Sequence, residues 1–200
     1  MNKNSLILFI LLSLSVPCQA EGDPAAGKEK SQVCAACHGV DGNSITPQWP
    51  NLAGQHAGYL AKQLLDFREG RRSNPQMSPM ATNLSDEDIA DLSAYFASQK
   101  KKNGKAQPDM LETGEKIYRA GDLDTGTAAC TACHGPYGRG NPAANYPLLS
   151  GQHAAYIQLQ LNDFRENRRT NDVNQVMRSV VNRMTDDEIK AVSNYIQGLH

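Results

Sequence analysis

Two pentapeptides carry the residues with chemistry in them: Cys34-Ala-Ala-Cys37-His38 and Cys130-Thr-Ala-Cys133-His134. Two thiols three positions apart, followed at once by an imidazole, form the attachment signature of a c-type haem. The thiols can make thioethers to the two vinyl groups on one haem edge, and the following histidine can ligate the iron from below. Paired Cys-x-x-Cys motifs also bind zinc, but that requires both pairs to converge on one ion. It gives no reason for a histidine directly after each pair. A redox dithiol explains neither the histidine nor the repetition.

The surroundings of the motifs repeat as well. "PNLAGQHAGYLAKQLLDFREGRRSN" (50–74) returns as "PLLSGQHAAYIQLQLNDFRENRRTN" (147–171), and "LSDEDIADLSAYF" (84–96) as "MTDDEIKAVSNYI" (184–196). The offset drifts only from 96 to 100 residues, so insertions are short and fall in loops. The expectation is a duplicated, all-α haem module: an N-terminal domain over 21–104 and a C-terminal domain over 105–200.

Each module reads as helices with loops between them. Asp23-Pro24 is an N-cap with proline in the first turn, starting a helix that runs toward Cys34. Leu60, Leu64 and Phe67, matched by Ile157, Leu161 and Phe164, give an amphipathic middle helix. Arg71, Arg72, Asn74, Pro75 and Pro79 end it in a loop. Ser85 with Asp88, and Thr185 with Glu188, cap the last helices, whose buried faces are Ile89, Leu92, Tyr95, Phe96 and Ile189, Val192, Tyr195, Ile196. The polar run Lys100 to Asp109 is the linker, and a helix follows over Leu111 to Arg119. Nothing alternates like a strand.

Iron ligated by one histidine needs a sixth ligand or an open position. Met77 lies seven residues before Leu84, and Met177 seven before Met184, which holds the equivalent place. That anchor favours Met77 and Met177 as distal ligands. Met80 competes, because the offset of the middle repeat maps it onto Met177. Met110 and Met184 read as core filling. His56 and His153 also repeat and are a second ligand possibility, against a plainer reading as capping or surface residues. Trp49 and Tyr146 align beside Pro50 and Pro147 and suit a haem edge, a propionate or simple packing. Arg68, Arg71 and Arg72, with Arg165, Arg168 and Arg169, could neutralise propionates or end helices in solvent. Gly54 and Gly151 mark turns or a close chain approach.

Composition fits this picture. Hydrophobic residues make up 40% and aromatics 6%, thin for two cores unless each encloses an apolar cofactor. Basic and acidic residues number 9 and 10 over 21–104, and 10 and 11 over 105–200. There is no basic stripe for nucleic acid. Residues 1–20 read as a secretory signal: Lys3, an apolar run from Leu6 to Val16, and small residues before cleavage after Ala20. Cys18 could suggest a lipoprotein, but Pro17 stands where a lipobox takes a small residue.

Both haem motifs, "LAGQH" and "LSGQH", the doubled "DFRE" and the ending "YIQGLH" together resemble the cytochrome c4 family, along the whole mature chain. The resemblance implies two tandem class I cytochrome c domains, two covalent haem c groups with His–Met iron, and a pseudo-twofold, propionate-side interface. It implies a monomeric periplasmic electron carrier, loosely held at the inner membrane. Its donor would be a quinol–cytochrome c reductase and its acceptor a terminal oxidase. Two other classes stand beside this: a cytochrome subunit of a larger dehydrogenase, and a dihaem enzyme such as a peroxidase or sulfur-compound dehydrogenase with one iron open.

Overall fold

In the computed structural model, which describes residues 22–200, the helices begin where the caps fall. The expected leader, residues 1–20, lies outside the described residues. Asp23 accepts the Ala25 N–H at 2.8 Å and Pro24 takes the first position of α1 (Pro24–Lys30). The helix does not continue to Cys34 as expected. At Ser31 the backbone falls out of regular helix, the side chain donates to the Lys28 carbonyl, and a separate α2 (Gln32–His38) follows. Then come α3 (Ala57–Arg68), α4 (Met77–Ala81) and α5 (Asp86–Ser98).

The second half repeats the order as α6 (Leu111–Ala120), α7 (Thr131–His134), α8 (Ala154–Arg165), α9 (Val176–Val181) and α10 (Asp186–Gly198). Ser85 and Thr185 both form the complete capping box with Asp88 and Glu188. The stretches after the middle helices are not plain loops, since each carries a short helix, α4 or α9. Among the described residues there is no strand, only two isolated bridges.

In each half the first helix crosses the last. Helical glycine costs about 1 kcal/mol against alanine, yet one sits at each crossing because nothing larger fits. A Cβ on Gly27 would stand 2.0 Å from the Asp91 carbonyl oxygen, and one on Gly114 2.2 Å from that of Ala191. The first crossing has an extra fastening. Buried Asp91 accepts the Asp23 N–H and the Lys30 ammonium, each at 2.7 Å, while Lys30 also pairs with Asp88 at 2.8 Å. Lys30 and the Ser85 cap together hold the Asp88 carboxyl down to about 2. The expected faces of α5 and α10 are buried in full, with Leu60 and Phe67 of α3 and Ile157 and Phe164 of α8 also buried. Met184 fills the second core as expected.

The linker is extended but not loose. Asn43 accepts the Lys102 N–H at 2.8 Å and donates to the Lys100 carbonyl at 3.1 Å. Asn194 exchanges two bonds with the Gln107 backbone, and Gln197 donates to the Lys105 carbonyl. The two halves also meet directly through a reciprocal pair. Gln55 bonds both backbone groups of Leu148 at 2.8 and 2.9 Å, and Gln152 does the same to Asn51.

Candidate haem sites

Helices α2 and α7 end on the two motif histidines, and Gly39 (φ 78°) and Gly135 (φ 76°) turn the chain away immediately afterwards. Only glycine takes such a backbone without strain. The departing loops then return over the imidazoles. The Gly42 carbonyl accepts the Leu52 and Ala53 N–H groups at 2.7 and 3.0 Å, and the Gly138 carbonyl accepts those of Leu149 and Ser150 at 2.7 and 3.1 Å. This folding brings the Pro50 carbonyl to 2.9 Å from His38 Nδ1 and the Pro147 carbonyl to 3.1 Å from His134 Nδ1.

Both rings are buried, 5% and 6% exposed. Burial pulls each imidazole below its ordinary pKa, against the opposing pull of the carbonyl bond. A neutral ring donating from Nδ1 keeps Nε2 as a lone pair, oriented and ready for a metal. The four thiols are free: Cys34, Cys130 and Cys133 are partly buried and Cys37 is exposed. Burial raises the Cys34 thiol and pushes that of Cys130 up to about 11. Two thiols one helical turn apart beside one available imidazole nitrogen suit a haem in each half. Among the described residues no three His, Cys, Asp or Glu gather as metal ligands, so the zinc reading has no point of convergence.

The methionines differ in place and exposure. Ala81 and Val181, both fully buried, begin the same turn: the Leu84 N–H bonds the Ala81 carbonyl and the Met184 N–H bonds that of Val181, each at 3.1 Å. The equivalence pairs Met77, first in α4, with Met177, second in α9. Both are partly buried, and Met177 packs on the second core. Met80 is 52% exposed.

The histidines His56 and His153 precede α3 and α8, but neither caps a helix with its side chain. Their Nε2 atoms reach across the domains instead, to the Arg139 carbonyl at 2.8 Å and the Ser44 carbonyl at 2.9 Å. The capping reading is thereby corrected, because a carbonyl of the opposite domain competes successfully for the ring. Tyr146 lies 6.0 Å from the His134 ring, whereas no such contact is found for Trp49 among the described residues.

The six arginines divide by position. Arg68 and Arg165 tie the middle helices to the caps of α5 and α10, bonding the Leu84 and Met184 carbonyls with Asp86 and Asp186. Arg71 and Arg168 pair with Asp66 and Asp163 at 2.7 and 2.8 Å. Arg72 and Arg169 are not solvated helix ends at all. They bond across the interface to Tyr156 and Tyr59. The resemblance implies an interface but not these contacts, although a signal was present: Tyr59, Gln63 and Asn74 recur as Tyr156, Gln160 and Asn171, polar residues kept in both copies.

Comparison with known proteins bears on the same elements. The family model described as cytochrome c matches twice, over residues 24–100 and 111–200. Cytochrome c4 of Azotobacter vinelandii is 49% identical over the full length of both chains. The chain belongs to the cytochrome c4 family. The crystal structure of reduced recombinant cytochrome c4 from Pseudomonas stutzeri superposes with a TM-score of 0.87 at 50% identity, covering 90% of this chain and all of that one. A protein named thiosulfate dehydrogenase electron acceptor, from Stutzerimonas stutzeri, is 39% identical over 88% of this chain and 81% of its own. As a cytochrome c4 family member the chain comprises two class I cytochrome c domains with covalently bound haem c, one group in each. It is a dihaem electron-transfer cytochrome.

Proposed function

We propose that this protein is a periplasmic electron carrier passing electrons from a quinol–cytochrome c reductase to a terminal oxidase, with both irons held by His and Met. One arrangement carries the reading. In each domain a buried neutral imidazole, fixed through Nδ1, is accompanied by a partly buried methionine at the same place before the last helix. Cys34 and Cys37 would anchor the first haem and Cys130 and Cys133 the second. His38 and His134 would be the proximal ligands, Met77 and Met177 the distal ones. Bound haem supplies a one-electron iron couple, at a potential raised by methionine ligation. The loops returning over the histidines hold the rings in one tautomer through the Pro50 and Pro147 carbonyls, and the rings themselves are buried. With His and Met holding each iron, no open position would remain for a substrate, so the chain would act as a carrier without catalysis of its own.

The domain division falls at 104/105 in this reading. It is supported by the linker's bonds to Asn43 up to Lys102 and to Gln197 and Asn194 from Lys105 onward. Export by the 1–20 leader, peripheral association with the inner membrane and a monomeric state belong to the same proposal. Among the described residues no helix is long and apolar enough to cross a membrane.

Rapid mixing tests the function. The oxidised protein is expected to take two electrons from quinol-reduced reductase and return them to a terminal oxidase. Sustained turnover of peroxide or thiosulfate by the purified chain alone would contradict it. On the ligands, Met77→Ala is expected to remove one of two methionine–iron charge-transfer bands and Met80→Ala neither. The reverse pattern would assign the sulfur to Met80. A second reading, a redox subunit serving a dehydrogenase, draws support from the likeness to the thiosulfate dehydrogenase electron acceptor. Co-purification with a catalytic subunit would favour it.

A further inference from the structure

The two methionine loops are fastened by different chemistry, although the segments before them are copies. In the first domain Asn74 caps the loop itself. Its Oδ1 accepts the Gln76 and Met77 N–H groups, each at 2.9 Å, and its own N–H donates to Ser78 Oγ at 3.1 Å. The matching Asn171 is drawn away to the interface. It donates to Gln63 Oε1 at 3.0 Å and to Asp66 Oδ2 at 2.6 Å, while its Oδ1 accepts from Arg169 at 2.9 Å. The second loop is also longer, since Asn74 stands three residues before Met77 and Asn171 six before Met177.

Asp172 takes over the fastening. Its side chain, 4% exposed, accepts the Arg178 N–H through Oδ2 at 3.0 Å and the Arg178 guanidinium through Oδ1 at 2.8 Å. Arg178 adjoins Met177, so these bonds close the segment 172–178 with the methionine at its closing end. Within it Asn174 (φ 54°) and Gln175 (φ 58°) stand consecutively in the left-handed region. That conformation is costly for a residue with a Cβ, glutamine more than asparagine. It persists only where its surroundings over-determine it. The buried carboxylate supplies that constraint, because residues 173–175 are themselves exposed. Met177 in turn packs on the same buried cluster as Cys130 of the second haem motif.

We propose that Asp172 is a positioning residue for the distal ligand of the second iron, holding a strained loop closed so that the Met177 sulfur is presented to the haem. The inference rests on Met177 being that ligand, and it deepens that reading by assigning the residue that places it. One carboxylate bonded to both a guanidinium and a backbone N–H is a charge-assisted and geometrically specific fastening. Without it the left-handed pair can relax toward ordinary backbone, and the sulfur withdraws more readily. The first domain has Pro75 at the matching position, which carries no side-chain acceptor, so its methionine does not depend on this device.

The test titrates the oxidised dihaem protein with imidazole, which competes with a thioether for ferric iron, and follows the methionine–iron charge-transfer absorbance. Asp172→Asn keeps the size of the side chain and removes its charge. Half of the absorbance is expected to give way at about tenfold lower imidazole than in the parent, the shift that follows from losing one charge-assisted bond. The other half should titrate as before. Arg178→Leu should give the same split, and it is the deciding variant if Asp172→Asn fails to take up two haems. Gly114→Ala strains the same domain at a different place and should leave the imidazole midpoints alone. Met177→Ala, measured alongside, should abolish half of the absorbance outright. If it does, and Asp172→Asn and Arg178→Leu titrate like the parent, the positioning role fails while the ligand stands. If Met177→Ala keeps both halves, the ligand reading fails and takes the proposal with it. A shift of both halves in Asp172→Asn, or an equal shift in Gly114→Ala, would also overturn it.

Discussion

Gly114→Ala is expected to melt the second domain roughly 10 °C below the parent, a loss of about 2 kcal/mol. The added methyl would stand 2.2 Å from the Ala191 carbonyl oxygen and 2.7 Å from Tyr195 Cβ. The first neighbour is backbone in the middle of α10, so it cannot rotate aside. Helix α6 has to lift from α10, loosening Ile117 and Tyr118, which are 2% and 0% exposed. The gain in helix propensity from glycine to alanine, about 1 kcal/mol, works in the opposite direction and is outweighed. Gly58→Ala is the control. Its only near neighbour would be Asn145 Oδ1 at 3.4 Å, ordinary contact, so the melting temperature should hold or rise. Circular dichroism melts of the haem-loaded proteins measure both. A parent-like melt for Gly114→Ala would mean that the crossing has slack.

Gln55→Ala combined with Gln152→Ala is expected to split thermal unfolding into two separate domain transitions. Each glutamine is nearly buried, at 6% and 8% exposure, and each satisfies one N–H and one carbonyl of the opposite domain. Truncation leaves the backbone groups of Leu148 and Asn51 without partners where water enters poorly. An orphaned buried group costs about 1–3 kcal/mol; four are created across the boundary, and the His56 and His153 N–H groups lose their glutamine acceptors as well, though shared surroundings make the sum less than additive. The remaining cross-domain bonds, among them those of His56, His153, Arg72 and Arg169, keep the halves in contact but not in one cooperative unit. Calorimetry reads the outcome directly. A single transition at the parental temperature would show that the glutamines do not couple the domains.

The parts of the fold that were legible in the sequence share a cause: they depend on neighbours close in the chain. The haem motifs, the capping boxes at Ser85 and Thr185 and the faces of α5 and α10 are all local patterns, and repetition doubled each signal. The break at Ser31 was missed because α1 is a short polar helix of about two turns, "PAAGKEK", with no apolar period to show where it stops. Gly27 and Gly114 were missed for a related reason, since their role is set by a helix some seventy residues away. The interface depended on side chains that bond backbone of the other domain, and no local pattern distinguishes such a glutamine from a solvated one. Its residues were visible only as polar positions repeated in both copies. Met77 and Met80 were hard to separate by offset alone, and the buried turn at Ala81 and Val181 only aligns Met77 with Met177 along the chain.

The most direct test of the account is the oxidised absorption spectrum of the purified protein, with the methionine–iron charge-transfer band scored against covalently bound haem. The arrangement of His38 with Met77 and of His134 with Met177 predicts two haems and one full band for each. A band for one haem alone would contradict it, leaving the other iron with a different or missing distal ligand and returning enzyme chemistry to that domain.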